Sequence, residues 1–169
     1  MTQAGSKVIQ PSQSGQPGSK RNRPTNYYRL IKRAINQRSR ALDAFAAQYG
    51  LTGGQMSIID YLSTCSGYAA GQGVIESEFD IQGSTLTVML QRMEAKGLLE
   101  RVPSPEDARK KIVRLSPKSE RLVPIVTSYI DQEQTHFERV FSPKRLEEFI
   151  HMLTFIGDCD HPVDMRPPL

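Results

Sequence analysis

Between Thr25 and Tyr49 the residues Ile31, Ile35, Arg38, Leu42, Phe45 and Tyr49 recur at spacings of 4, 3, 4, 3 and 4. That rhythm predicts one stripe of a long amphipathic helix. Gly50 stops it, and Leu51, Thr52, Gly53 and Gly54 supply a turn and a cap for a second helix. This one carries Met56, Ile59 and Leu62 and ends near Ser66 and Gly67. After the loop TCSGYAAGQG, a short helix from about Val74 to Phe79 leads through Asp80 to Gly83 into a run that begins at Ser84. Two short helices joined by a tight turn predict a helix-turn-helix. In the second of them Leu86, Met89 or Leu90, and Met93 share one face, and Gly97 ends the helix. Ser84, Thr85, Val88, Gln91 and Arg92 face the other way, although Ser84 also fits as the helix N-cap.

The pattern then shortens. Leu98 and Leu99, and later Ile112 and Val113, are apolar stubs around the basic loop of SPEDARKKIVRL, which predicts a two-stranded hairpin with Arg109, Lys110 and Lys111 near its tip. Helical spacing resumes at Pro117, with Leu122, Ile125, Val126, Tyr129, Ile130, Phe137 and Val140 on one long helix. Pro143 breaks it, and Leu146, Phe149, Ile150, Leu153 and Ile156 mark a final helix. The fold class is therefore mainly α with a small β wing, a winged helix-turn-helix flanked by long helices. The predicted division is a helical region over 25–50 and 117–158 around a winged module at 51–116, with tails at 1–24 and 159–169. The flanking helices carry more apolar stripe than one small module can cover. A homodimer through Ile31, Ile35, Tyr129, Phe149 and Leu153 is the expected remedy.

Composition sharpens this picture in three places. The 169-residue chain has no apolar run of about 18 residues and no apolar segment behind its first basic residues, so neither a membrane span nor a secretory signal is expected and the location reads as cytoplasmic. Cys65 and Cys159 lie far apart in a chain that needs no staple, which suggests reduced thiols. The net charge of +4 is segregated. Lys7, Lys20, Arg21 and Arg23 put it on the first 24 residues, whose Gly, Ser, Gln and Pro predict disorder. Nine basic residues against five acidic ones put the same charge again on Gly83 to Arg121, and the remainder is net acidic. Positive potential gathered on a helix-turn-helix and a hairpin is the footprint of a nucleic-acid binder.

The chemistry of the candidate residues agrees. Short polar side chains at the start of a helix approach base edges, Val88 can meet a thymine methyl, and Gln91 offers a paired donor and acceptor to adenine. No phosphate loop, paired Cys-x-x-Cys or nucleophile elbow occurs, so enzyme activity is not expected, and no cofactor is implied. Asp158, Cys159, Asp160, His161 and Asp164 have metal-binding atoms, but in a proline-bounded tail with nothing to fix their geometry, so no metal site is assigned. Two other classes of function stay open: a winged helix that binds only proteins, and a thiol switch acting through Cys65.

The stretch from Leu51 to about Arg121 resembles the MarR family, the multiple-antibiotic-resistance regulators. LTGGQMSIIDYL resembles the family's second helix, IESEFDIQGSTLTVMLQRMEAKGLLERV its helix-turn-helix and first wing strand, and SPEDARKKIVRLSPKSERL its wing and following helix. The resemblance implies a dimeric repressor that binds a palindromic double-stranded operator. Its recognition helix would use Ser84, Thr85, Thr87, Val88, Gln91 and Arg92 in the major groove. Asp107 and Arg109 match the family's wing D-x-R, so by resemblance Arg109 enters the minor groove, Asp107 holds it in position, and Lys110 and Lys111 add charge. Gly83 stands where many members have a basic residue, and Val88 where Arg is frequent. The resemblance also implies a small aromatic or anionic effector, for which Arg38, Tyr49, Met56 and Tyr61 are the candidate cleft residues.

Overall fold

The computed structural model describes residues 25–158. The predicted N-terminal tail and Cys159, Asp160, His161 and Asp164 lie outside the described residues. Helix α1 runs over Tyr27–Ala47, α2 over Gly53–Thr64, α3 over Gln72–Phe79, and α4 over Gly83–Ala95. Three short strands follow the chain as β1 (Ala69–Gly71), β2 (Leu99–Pro103) and β3 (Lys111–Leu115), and the chain closes with α5 (Pro117–Glu120), α6 (Val123–Val140) and α7 (Pro143–Gly157). The described chain falls into two units, one ending at Ser39 and the other beginning at Arg40. In the first unit α1 is exposed almost throughout, Ile31 being half-buried and Ile35 open to solvent.

The second unit is built around α2. Thr52 accepts the Gln55 amide through its hydroxyl while the Gln55 side chain accepts the Thr52 amide, a capping box that satisfies donors at both ends of the first turn. Met56, Ile58, Ile59 and Leu62 are then driven into the core. Against them pack Ile75 of α3, Leu86, Leu90 and Met93 of α4, Leu99 of β2, Val113 and Leu115 of β3, and Val126 of α6. The antiparallel sheet has the order β1-β3-β2, with Leu99 opposite Leu115, Pro103 opposite Lys111, and Ala70 opposite Val113. The wing therefore springs from the central strand of a small sheet.

Two helices end in the same device. Gly50 has φ +69°, Leu51 N–H donates to Ala46 O at 3.0 Å and Gly50 N–H to Ala47 O at 3.1 Å. Gly97 repeats this at the end of α4 with φ +66°, Leu98 N–H bonding Met93 O at 2.9 Å and Gly97 N–H bonding Glu94 O at 2.8 Å. Both are Schellman turns, which need a residue comfortable in left-handed backbone and close on an apolar contact.

The structure departs from the sequence reading in four places. Helix α2 stops at Thr64, before the expected Ser66, because the backbone turns extended at Cys65. The following loop hides a 3₁₀ turn over Ser66–Tyr68 and the strand β1, and α3 starts at Gln72 instead of Val74. The single helix expected from Pro117 is two, α5 being capped by Ser116 and α6 restarting with Pro124 in its first turn. Finally, Ser84 is not the N-cap of α4. Gln82 holds that position without a side-chain cap bond, so the Ser84 hydroxyl is not committed to capping. Among the described residues no helix is long and apolar enough to cross a membrane.

Candidate nucleic-acid interface

Helix α4 divides its residues cleanly by depth. Leu86, Leu90 and Met93 are fully buried, whereas Ser84, Thr85, Val88, Gln91 and Arg92 are exposed. Thr87 sits between the two sets. It is half-buried, and its hydroxyl accepts a hydrogen bond from Gln72 Nε2 at 3.0 Å, so it joins α3 to α4. The same Gln72 amide donates to Glu76 Oε1 at 3.1 Å. Gly83 leaves room for that carboxylate: a Cβ there would stand 3.0 Å from Glu76 Oε1.

Two grooves open on this part of the molecule, and α4 lines the first of them. One, of 840 Å³, lies between the start of α2 and α4 and is lined by Thr52, Gln55, Ser84, Thr85, Val88, Met89, Arg92, Ala95 and Lys96. The other, of 480 Å³, lies between the start of α3 and the wing, with Gly71, Gln72, Gly73, Val74 and Glu76 on one side and Arg109, Lys110 and Lys111 on the other. All three wing cations are exposed.

The wing turn is held by Asp107. Its Oδ1 accepts the backbone N–H of Arg109 at 3.0 Å, and its carbonyl accepts the Lys110 N–H at 2.9 Å. Ser104 N–H donates to Lys110 O at 2.9 Å and closes the loop. The carboxylate thus fixes the backbone that carries Arg109 and leaves the guanidinium pointed outward as a donor.

Ion pairing ties α4 to β2. Arg101 of β2 binds Glu94 of α4 through Nη2 at 2.7 Å and Nε at 3.0 Å, and its amide reaches the other carboxylate oxygen at 3.3 Å. The hydrogen bond from Arg101 and its charge hold the Glu94 carboxyl below the usual range, against a smaller opposing effect of burial. Sequence reading missed this pair, because seven residues across a turn is not a recognisable spacing.

The four effector candidates fall in different surroundings. Met56 is 1% exposed and belongs to the core, so it offers no surface to a ligand. Tyr61 is half-buried, packs edge-on against Phe79, and its hydroxyl is raised by desolvation, with smaller contributions from Cys65 and Glu78. Tyr49 lines a groove of 420 Å³ with Lys96, Lys118 and Arg121. Arg38 is an exposed residue of α1 in the first unit. Cys65 is half-buried and its thiol donates to the neutral Tyr61 carbonyl at 3.5 Å. Of the dimer candidates in the second unit, Phe149 and Leu153 are exposed, but Tyr129 is half-buried and stacks on Phe45 with ring centroids 4.2 Å apart. Among the described residues no group of three or more His, Cys, Asp or Glu could hold a metal ion.

Known proteins share this arrangement. A model of the MarR family matches residues 49–110, the stretch from the end of α1 to the wing tip. The HTH-type transcriptional regulator PecS of Dickeya dadantii (strain 3937) is 29% identical over 130 residues, which are 75% of this chain and 76% of that protein. The structure of the MepR–DNA complex from S. aureus superposes with a TM-score of 0.72, at 22% identity over 79% of this chain and 96% of that one. The transcription regulator MarR of Oenococcus oeni PSU-1 is 41% identical, with a TM-score of 0.71 over 78% of this chain and 98% of its own. Such identity across nearly the whole of a regulator, on the same helix-turn-helix and hairpin, means that the chain belongs to the MarR family of winged-helix transcriptional regulators.

Proposed function

We propose that the protein is a dimeric, sequence-specific DNA-binding repressor whose module over 51–116 sets α4 in the major groove and the wing in the minor groove of a palindromic operator. The observation that carries this reading is the division of α4, with Ser84, Thr85, Val88, Gln91 and Arg92 outward, together with the exposed Arg109, Lys110 and Lys111 of the wing, which face the start of α3 across a groove. A helix held by its apolar face and free along its polar one is what major-groove readout requires, and a basic hairpin in the same module is suited to phosphates and a narrow minor groove. The likeness to MepR, solved bound to DNA, supports DNA binding by this fold. The helical regions 25–50 and 117–158 supply the dimer contact. Helix α7 has no buried residue, yet Phe149, Ile150, Met152, Leu153, Phe155 and Ile156 all face solvent, an apolar surface that a second copy would cover. Two half-sites one helical turn apart, roughly 34 Å, follow from the two-fold axis of such a dimer. A small aromatic or anionic effector would release the operator by rotating the two modules, and of the four candidates Arg38, Tyr49 and Tyr61 each have surface to offer a ligand while Met56 does not.

Selection of bound duplexes from a random pool tests this reading. The expected product is palindromic, and its affinity falls steeply with salt, as counterion release demands. Recovery of no preferred sequence, or binding indifferent to salt, would leave a winged helix that recognises proteins instead.

A further inference from the structure

At the far end of the recognition helix the two Schellman turns are fastened to each other by one side chain. Lys96, the C-cap residue of α4, donates from Nζ to the carbonyl of Gly50 at 3.0 Å and to Gln55 Oε1 at 3.2 Å. Gly50 belongs to the turn that ends α1, and Gln55 is the 4%-exposed half of the α2 capping box. Lys118 at the start of α5 donates in turn to the Lys96 carbonyl at 2.8 Å. The tip of α4 is thus tied to three elements in one place. The Lys96 carbonyl is one that a helix end leaves without an intrahelical partner, and the Gly50 carbonyl lies just past the end of α1, so ammonium groups bind both with favourable charge and dipole.

We infer that Lys96 is a positioning residue for DNA recognition: it sets the angle of α4 by clamping its C-terminus to the α1–α2 turn and makes no contact with DNA itself. This rests on the proposed DNA-binding reading. The geometry gives the clamp a lever. The buried face of α4 holds the helix through Leu86, Leu90 and Met93, and the polar ties at its C-terminal end add a restraint on its angle that apolar packing alone does not supply. The Arg101–Glu94 pair restrains the tip from the β2 side and Lys96 from the α1–α2 side. Because Phe45 of α1 stacks on Tyr129 of α6, the Gly50 carbonyl stands at the end of a packed path from α6 to α4. Lys96 is exposed, and Gln55 Oε1 keeps the Thr52 amide at 3.2 Å when the ammonium is removed, so its loss leaves the fold intact.

The test compares wild type, Lys96→Met and Lys96→Arg on the selected operator and on a scrambled duplex at several salt concentrations, beside amide exchange of the DNA-free protein. Lys96→Met should lose about tenfold in operator affinity, within the usual span of site-to-site coupling. Its affinity for the scrambled duplex and its salt slope should stay at wild type, and the Gly97 and Leu98 amides should exchange faster. Lys96→Arg, which keeps a cation with several donors, should restore part of the operator affinity and the protection. Equal losses on both duplexes with a salt slope lower by about one would make Lys96 a phosphate contact and overturn the inference. So would unchanged operator affinity with only a lower melting temperature, the mark of a merely structural residue. Should wild type select no duplex, the DNA-binding reading fails, while unchanged exchange at Gly97 and Leu98 in Lys96→Met would separately refute the clamp.

Discussion

The Asp107 carboxylate accepts the Arg109 amide, so removing it loosens the turn that presents the guanidinium. Arg109→Ala should weaken operator binding by about 1 to 3 kcal/mol in a competition assay, the range of a specific DNA contact. Asp107→Ala should give a smaller loss, although in the proposed docking it deletes a negative charge facing DNA. Tighter binding to every duplex by that variant would show that simple repulsion outweighs the turn. Two other carboxylates set opposing dependences on pH. Asp60 is raised above 3.8 by desolvation and by the charge of Asp131, so the folded state holds its proton more tightly than the unfolded chain and loses stability as pH rises through that window. Asp60→Asn should therefore raise Tm slightly at pH 7, and the gain should vanish as pH falls below 3.8. Glu94 has the other sign. Arg101 lowers it, so its contribution is present above 4.5 and is lost as pH falls through the depressed value. Glu94→Gln should lower Tm at pH 7 and match wild type in strong acid, which thermal melts across pH will show.

Among the elements, α2 and α4 were readable because their apolar positions keep one helical period and their ends carry recognised signals, Thr52 with Gln55 in one case and Gly97 in the other. Strand β1 was not, since Ala69, Ala70 and Gly71 have no alternation to show and become a strand only through pairing with Ile112 to Arg114. The break between α5 and α6 was hidden for the opposite reason: Leu122 and Val126 continue the apolar rhythm straight across it, and only Pro124 betrays a new first turn. The surface set of α4 was read from periodicity, but the engagement of Thr87 by Gln72, fifteen positions away, has no trace in local pattern. The α1–α2 junction provides a test at this scale. A Cβ at Gly53 would stand 2.9 Å from Asp43 Oδ1 and 3.1 Å from Leu42 Cγ, and that same oxygen accepts the Gly53 amide at 2.7 Å. Gly53→Ala should therefore cost about 1 to 3 kcal/mol in urea unfolding through forced displacement of α1 side chains. A variant as stable as wild type would mean that Asp43 moves aside freely.

For the whole molecule, the open apolar face of α7 is the feature that a lone chain leaves unexplained. Leu153 is 49% exposed, and in a dimer Leu153→Glu would desolvate an unpaired carboxylate. Light scattering at micromolar concentration should find wild type at twice the chain mass and Leu153→Glu at one, with Arg109→Ala unchanged. A wild-type mass equal to one chain would remove the two-fold axis and the palindrome with it. The separation of duties on α4 reaches beyond any one operator. Since Leu86, Leu90 and Met93 hold the helix while Ser84, Thr85, Val88, Gln91 and Arg92 have no share in the core, the outward positions can be exchanged with little penalty in folding. A duplicated copy of this gene is therefore free to drift toward a new promoter one surface residue at a time, passing only through intermediates that still fold.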